Sequence, residues 1–189
     1  HRSEFVYQHY RHLLPLIYEH RPNDTRLASS RNRGATLATG DYLVFLDCDM
    51  LLNPEGLAAY TEQLHNHPEA VILGYCGYLS AFVAPSALIP ERQVNFVDFR
   101  FLRYTPTGLL PSPYLARYLY WYTMSGNFAT SKHQFLELNG FDEQFQGWGG
   151  EDMELGERLR QHNIPLLLSV DAWGEHQVHK KSGQFYELQ

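Results

Sequence analysis

The sequence contains no apolar run near the ~18 to 20 residues that a bilayer-crossing helix needs, and its first residues show no signal-peptide pattern. Neither a membrane span nor a secretory leader is expected, so the sequence reads as a cytoplasmic chain, with peripheral attachment at the inner membrane left open. A basic excess is also missing. Fifteen Lys and Arg face 21 Asp and Glu for a net charge of -6, which argues against binding a phosphate backbone by bulk charge. No nucleic-acid partner is expected, and any phosphate must be gripped locally. Cysteine is scarce. Cys48 and Cys76 sit among apolar residues without metal-type spacing, the pattern of buried, reduced thiols in a cytosol. The last absence is at the start. An α/β nucleotide-binding domain normally opens with a strand and a loop that hold the nucleotide, whereas this chain opens on a helical pattern, so the fold is expected to lack its first strands.

With 44% hydrophobic and 19% charged residues in a chain of 189, a single globular domain over 1–189 with a real core is expected. Residues 3–14 read as a helix with Phe5, Val6, His9, Leu13 and Leu14 near one stripe, stopped by Pro15. Leu16 to Glu19 reads as a short strand, and Leu27 to Ala38 as a small-residue helix ended by Gly40. Tyr42 to Leu46, five apolar or aromatic residues in a row, predicts a strand buried on both faces, as central parallel strands are. A helix through Leu57, Tyr60, Thr61 and Leu64 and a strand over 71–75 follow. Residues 80–113 carry five prolines among aromatics, a long irregular insertion of the kind that tends to be functional. Beyond it come a small-residue strand after Gly126, a helix capped by Ser131, a helix from Glu151 to about His162, and a last strand over 165–170. In that last helix Leu155 and Leu159 should face the core and Arg158 and Arg160 the solvent. The class is α/β, with a mixed, mostly parallel sheet flanked by helices.

Two acidic stretches carry the chemistry. Asp47 and Asp49 close the strand two residues apart; in an extended segment they leave the same face, where two like charges are costly without a cation. Hard divalent ions are held by one or two carboxylates plus substrate phosphates, and ligands in open α/β sheets lie at the carboxyl ends of strands. The second stretch sets Gly147, Gly149 and Gly150 around Trp148, directly before Glu151, Asp152 and Glu154. Helix-start acids are favoured by the helix dipole, which explains the charge but not the glycines; a flexible loop with one large aromatic suits a lid, and a carboxylate behind it suits a general base. Near the end, His176 and His179 stand beside Lys180 and Lys181, where one imidazole could complete a metal site and the lysines could offset diphosphate charge. Gly126 and Asn127 suggest close approach of backbone to ligand, with Asn127 offering both donor and acceptor.

Taken together, Ser30-Arg31-Asn32-x-Gly34-Ala35, Gly40-Asp41 through Asp47-x-Asp49, Gly126-Asn127, Gly140-Phe141-Asp142-Glu143, Gly147-Trp148-Gly149-Gly150-Glu151-Asp152 and His176 resemble the GT-A glycosyltransferases. The match is to family 2, with its chondroitin-polymerase-like bacterial enzymes, and to the C-terminal half of β-galactosyltransferases. This resemblance implies the GT-A, Rossmann-like fold and a metal-dependent transfer from a nucleotide-sugar donor, a UDP-sugar by preference, to a saccharide or other hydroxyl acceptor in polysaccharide biosynthesis. It implies that Asp49 binds Mn²⁺ or Mg²⁺, that Asp47 contacts the ribose or the metal through water, and that His176, with His179 as the other candidate, is the third ligand. It further implies that Asp152 is the base and Glu151 orients the acceptor. Trp148, with Gly149 and Gly150, would close over the donor sugar; Arg31, Asn32, Gly126, Asn127 and Lys180 would lie at the donor. The related retaining N-acetylgalactosaminyltransferases carry Asn in the place of Asp152, so an Asp there implies inversion. Two other readings stay open: a glycoside hydrolase using two carboxylates from the two acidic stretches, and a non-catalytic carbohydrate-binding or accessory domain derived from a glycosyltransferase.

Overall fold

The computed structural model describes residues 2–21, 25–78, 120, 126–147 and 149–177. In chain order these form α1 (Arg2–Tyr10), α2 (Leu27–Leu37), β1 (Tyr42–Leu46), β2 (Met50–Leu52), α3 (Gly56–Asn66), β3 (Val71–Tyr78), β4 (Asn127–Ser131), α4 (Lys132–Glu137), α5 (Glu151–Gln161) and β5 (Leu166–His176). The five strands make one sheet in the order β1-β4-β3-β5-β2. It is mixed, and among the described strands only β3 and β5 run parallel, while β1 with β4, β4 with β3 and β5 with β2 are antiparallel.

Strand alternation divides the core into two layers. Leu43 and Phe45, Val71 and Leu73, Phe128 and Leu168 point to one face, where Ala28 and Ala35 of α2, Phe135 of α4 and Leu155 and Leu159 of α5 cover them. Ile72, Ala129 and Leu167 point to the other, against Tyr60 and Leu64 of α3. The period of two in each strand therefore places a helix layer on each side of the sheet. On the first face Phe45 stacks on Phe128 at 4.6 Å and meets Phe135 and Phe141 at 4.9 and 5.7 Å, each such ring pair adding roughly 0.5–1.5 kcal/mol beyond its burial.

Asn127 pins the middle of the sheet. Its Oδ1 accepts the Tyr60 hydroxyl at 2.7 Å and its Nδ2 donates to the carbonyls of Tyr75 and Ala172, so one amide ties α3, β3, β4 and β5 together. Gly74 is required beside it: a Cβ there would sit 2.2 Å from the Tyr60 hydroxyl and 2.3 Å from the Ala172 carbonyl. Asn53 performs a similar task at the edge, donating to Asp171 and Trp173 carbonyls and accepting from Glu55 N.

Several local expectations are corrected. Leu16 to Glu19 forms no strand, because no neighbouring strand pairs with it among the described residues. The helix expected over 3–14 ends at Tyr10, and its apolar stripe is uncovered, with Phe5 74% and Leu13 64% exposed, because the described residues present no core to it. Gly40 is not the cap of α2, which stops at Ala38. Leu57 is exposed on α3. β1 is not buried on both faces along its length; it alternates and lies at one end of the described sheet. Cys76 is buried, but Cys48 is exposed, since it lies in the turn after β1 rather than inside it. Arg158 is not solvated: it pairs with Glu154 and donates to the carbonyls of Leu138 and Gly140, locking α5 to the preceding turn. The aromatic-rich insertion over 80–113 lies outside the described residues.

Candidate active site

The acidic pair stands where β1 turns into β2. Asp47 N donates to Gly126 O at 3.0 Å and Met50 N to Asp47 O at 3.0 Å, so residues 47–49 form a tight turn and not the extended segment the spacing suggested. The turn, not strand alternation, brings the two carboxylates to one end of the sheet. β2 then pairs with β5, placing Met50 opposite His176, and Gln177 N donates to Asp49 O at 2.7 Å. That register sets His176 Nδ1 3.5 Å from Asp49 Oδ1. Gly126 fills the remaining side: a Cβ built on it would be 2.9 Å from Asp47 Oδ2 and 3.7 Å from His176 Cε1. Asp47, Asp49, Gly126 and His176, drawn from three strand ends, therefore share one small region.

α2 links this region to the second acidic stretch. Ala28 and Ala35 bury the inward stripe of α2, and Arg31, three and four residues from them, projects along the same side. Its Nη2 donates to Asp47 Oδ1 at 3.0 Å and its Nη1 to Glu151 Oε1 at 2.9 Å, while the guanidinium lies 5.5 Å over the Phe141 ring. Glu151 begins α5 and is buried. The loop before it needs glycine: Gly149 and Gly150 have φ of +89° and +98°, and a Cβ on Gly150 would strike the Phe145 ring at 2.8 Å. Asp152 follows, its Oδ1 accepting from Met153 N at 2.9 Å. Burial, then the neighbouring Glu151 charge, push the Asp152 carboxyl above the usual range, against the lowering effect of backbone N–H groups and Arg31. A carboxylate so placed is a stronger base than an ordinary one.

Not every anticipated residue faces this region. Asn127 was expected at the donor, but its amide is fully buried and each polar group is bonded within the protein, so it is corrected to a structural residue. Asn32 is likewise engaged in the scaffold: its Nδ2 donates to Phe141 O and Glu143 Oε1, and its Oδ1 accepts from Phe141 N. Trp148, His179, Lys180 and Lys181 lie outside the described residues. Two features escaped the sequence reading. Phe141 supports Arg31, and Arg31 joins the two acidic stretches; neither has a signal in local sequence spacing.

Among the described residues no group of three or more His, Cys, Asp or Glu is gathered closely enough to hold a metal by protein ligands alone. The donor set nevertheless suits a hard divalent ion of the kind that takes few protein ligands and completes its shell with phosphate and water, since Asp49 and His176 already adjoin. No helix of the described residues is long and apolar enough to cross a membrane.

The family model described as "Glycosyltransferase like family 2" matches residues 6–172. Validoxylamine A glucosyltransferase of Streptomyces hygroscopicus subsp. jinggangensis is 35% identical over 175 residues, covering 83% of this chain and 40% of that protein. Chondroitin synthase of Escherichia coli is 28% identical over 173 residues, covering 80% of this chain and 25% of the synthase. The chain thus spans less than half the length of these relatives. A crystal structure of GalNAc-T7 with UDP, GalNAc and Mn²⁺ superposes with a TM-score of 0.64 at 18% identity, over 95% of this chain and 34% of that one. The fold is that of the GT-A glycosyltransferases, and by the extent of the family match the chain belongs to the glycosyltransferase family 2-like proteins.

Proposed function

We propose that this domain catalyses metal-dependent, inverting transfer of a sugar from a nucleotide-diphosphate donor, a UDP-sugar, to a hydroxyl of a saccharide acceptor. One observation carries the reading: Arg31 joins Asp47 to Glu151, so the acidic strand end and the acidic helix start form one centre, with the raised carboxyl of Asp152 beside it. The bound UDP and Mn²⁺ of GalNAc-T7, which shares the fold, support a nucleotide diphosphate and a divalent cation as the ligand class.

In this reading Asp152 accepts the proton of the acceptor hydroxyl. The hydroxyl oxygen bonds to the anomeric carbon as the bond from that carbon to the diphosphate breaks, and the nucleoside diphosphate leaves with the electron pair, inverting the centre. Glu151, held by Arg31, orients the acceptor. Asp49 and His176 would hold Mn²⁺ or Mg²⁺, with Asp47 close by, and when bound the ion offsets charge on the leaving diphosphate. Gly126, lacking a side chain, lets the Asp47 carboxylate and the His176 ring pack close to the start of β4. The roles of Trp148 over the donor sugar, of Lys180 at the diphosphate and of His179 as the other candidate ligand rest on the sequence.

A screen of nucleotide sugars for thermal stabilisation and turnover, with and without Mn²⁺, tests the reading. The expected outcome is stabilisation by a UDP-sugar only when the cation is present. A chain that responds to no nucleotide sugar under either condition overturns it.

A further inference from the structure

Arg31 reads in the sequence as a donor-side residue, and its geometry says something different. Both of its terminal nitrogens are occupied by protein carboxylates, Nη2 by Asp47 at 3.0 Å and Nη1 by Glu151 at 2.9 Å. Phe141 backs the guanidinium at 5.5 Å. The helix that carries it is clamped as well, because Asn32, the next residue, exchanges two hydrogen bonds with the Phe141 backbone. Two of its five N–H donors are engaged by carboxylates, whose charges offset that of the guanidinium and weaken its pull on a donor phosphate. Glu151 adds a second constraint: its side chain is only 5% exposed, and a carboxylate at that depth is costly without a counter-ion. Arg31 is that counter-ion, and because it also holds Asp47 it fixes the start of α5 against the turn after β1.

We propose that Arg31 is a positioning residue for sugar transfer: it sets the Glu151–Asp152 helix start against the Asp47–Asp49 turn, acting through the two carboxylates rather than by touching the nucleotide. The proposal rests on the transferase reading above. Two planar N–H pairs at fixed separation suit the task, and a lysine, a compact ammonium without that rigid fork, does not hold two carboxylates at a set separation. The link joins Glu151, the neighbour of the proposed base Asp152, to Asp47, in the same turn as the proposed cation ligand Asp49, so a loosened link misplaces the base and leaves donor affinity intact. Reaction geometry is sensitive to such displacements, of order 10²-fold for a shift of about 1 Å.

The test compares the wild-type protein with Arg31→Met, Arg31→Lys, Glu151→Gln and the Arg31→Met/Glu151→Gln double variant. Steady-state kinetics with the active nucleotide sugar are run beside calorimetric binding of UDP with Mn²⁺. Arg31→Met should lower kcat by about 100-fold and Arg31→Lys by about 10-fold, with UDP affinity and donor KM within about 3-fold of wild type. The double variant should be no slower than the worse single one, because both remove the same link. Should Arg31→Met fail to fold, Arg31→Lys carries the same split between kcat and KM. Independently of turnover, hydrogen exchange in Arg31→Lys should rise together at residues 47–50 and 150–154. A loss of UDP affinity matching the loss of rate makes Arg31 a nucleotide ligand and overturns the proposal; so do multiplicative losses in the double variant, or exchange that rises in one segment alone. A wild-type protein that neither binds UDP nor transfers sugar sinks the transferase reading instead, a result distinct from all of these.

Discussion

The two acidic stretches have similar charge and opposite surroundings. Asp47 and Asp49 lie in an open turn, their side chains 37% and 31% exposed, whereas the Glu151 side chain at the start of α5 is 5% exposed. Open carboxylates keep the freedom to exchange water for a cation or a phosphate-bound ion, which suits ligand binding. Enclosed ones lose solvation, and the result is visible at Asp152, whose carboxyl is raised chiefly by burial. In the proposed function, the same residue types would hold ligand on one side and accept a proton on the other according to how much protein covers them. Arg31 is the hinge of the comparison, since it touches one carboxylate of each kind.

Removing the base should separate the two sides most sharply. Asp152→Asn is expected to reduce kcat by about 10³-fold while UDP and Mn²⁺ bind within about 3-fold of wild type; equal loss of rate and binding would erase the proposed division of labour. On the open side, Asp49→Ala or His176→Ala should weaken Mn²⁺-dependent UDP binding by about 10- to 100-fold in calorimetry, and a chelator applied to the wild-type protein should abolish the same signal.

Asn127 supplies the control, since it follows Gly126 yet its side chain bonds only to Tyr60, Tyr75 and Ala172. Asn127→Ala should cost about 3 kcal/mol in urea unfolding, because it leaves the Tyr60 hydroxyl and two carbonyls without their partner. Donor affinity of the folded fraction should stay unchanged.

The smallest effect concerns pH. Asp152 binds its proton more tightly in the folded protein than in the unfolded chain, so its contribution to stability is present below the unfolded carboxyl pKa and is lost as pH rises through the folded value. At neutral pH the ionised group is therefore a small burden. Asp152→Asn should raise Tm there by about 1–2 °C, with no gain at pH 3. In activity the same shift should place the acid limb of kcat/KM above the range of an ordinary aspartate, with Glu151 and Arg31 setting its position from opposite sides; a limb at the ordinary aspartate value would count against Asp152 as the base.

Elements with local causes were legible before any coordinates. The helix over Leu27–Leu37, the strand over Tyr42–Leu46, the Ser131 cap, which accepts from Gln134 N, and the start of α5 at Glu151 all follow from spacing and capping chemistry within a few residues. Elements that depend on distant partners were not. β2 is only three residues long and exists because β5 runs alongside it. Leu16 to Glu19 has strand-forming residues and no strand to pair with among those described. Asn127 looked like a ligand contact because it is polar beside a glycine; its true partners are 45 to 67 residues away in sequence, where no local pattern reaches.

By itself the sequence determined the class of the fold and the order of most elements, and it singled out Asp47, Asp49, Glu151, Asp152 and His176 as candidates, because periodicity and motif spacing are properties of neighbours along the chain. The tertiary structure alone decided that the acidic pair sits in a turn, that Asn127 and Asn32 belong to the scaffold, and that Arg31 binds the two acidic stretches into one centre. Those outcomes depend on sheet order and helix packing, which bring together residues whose separation along the chain carries no information about their distance in space.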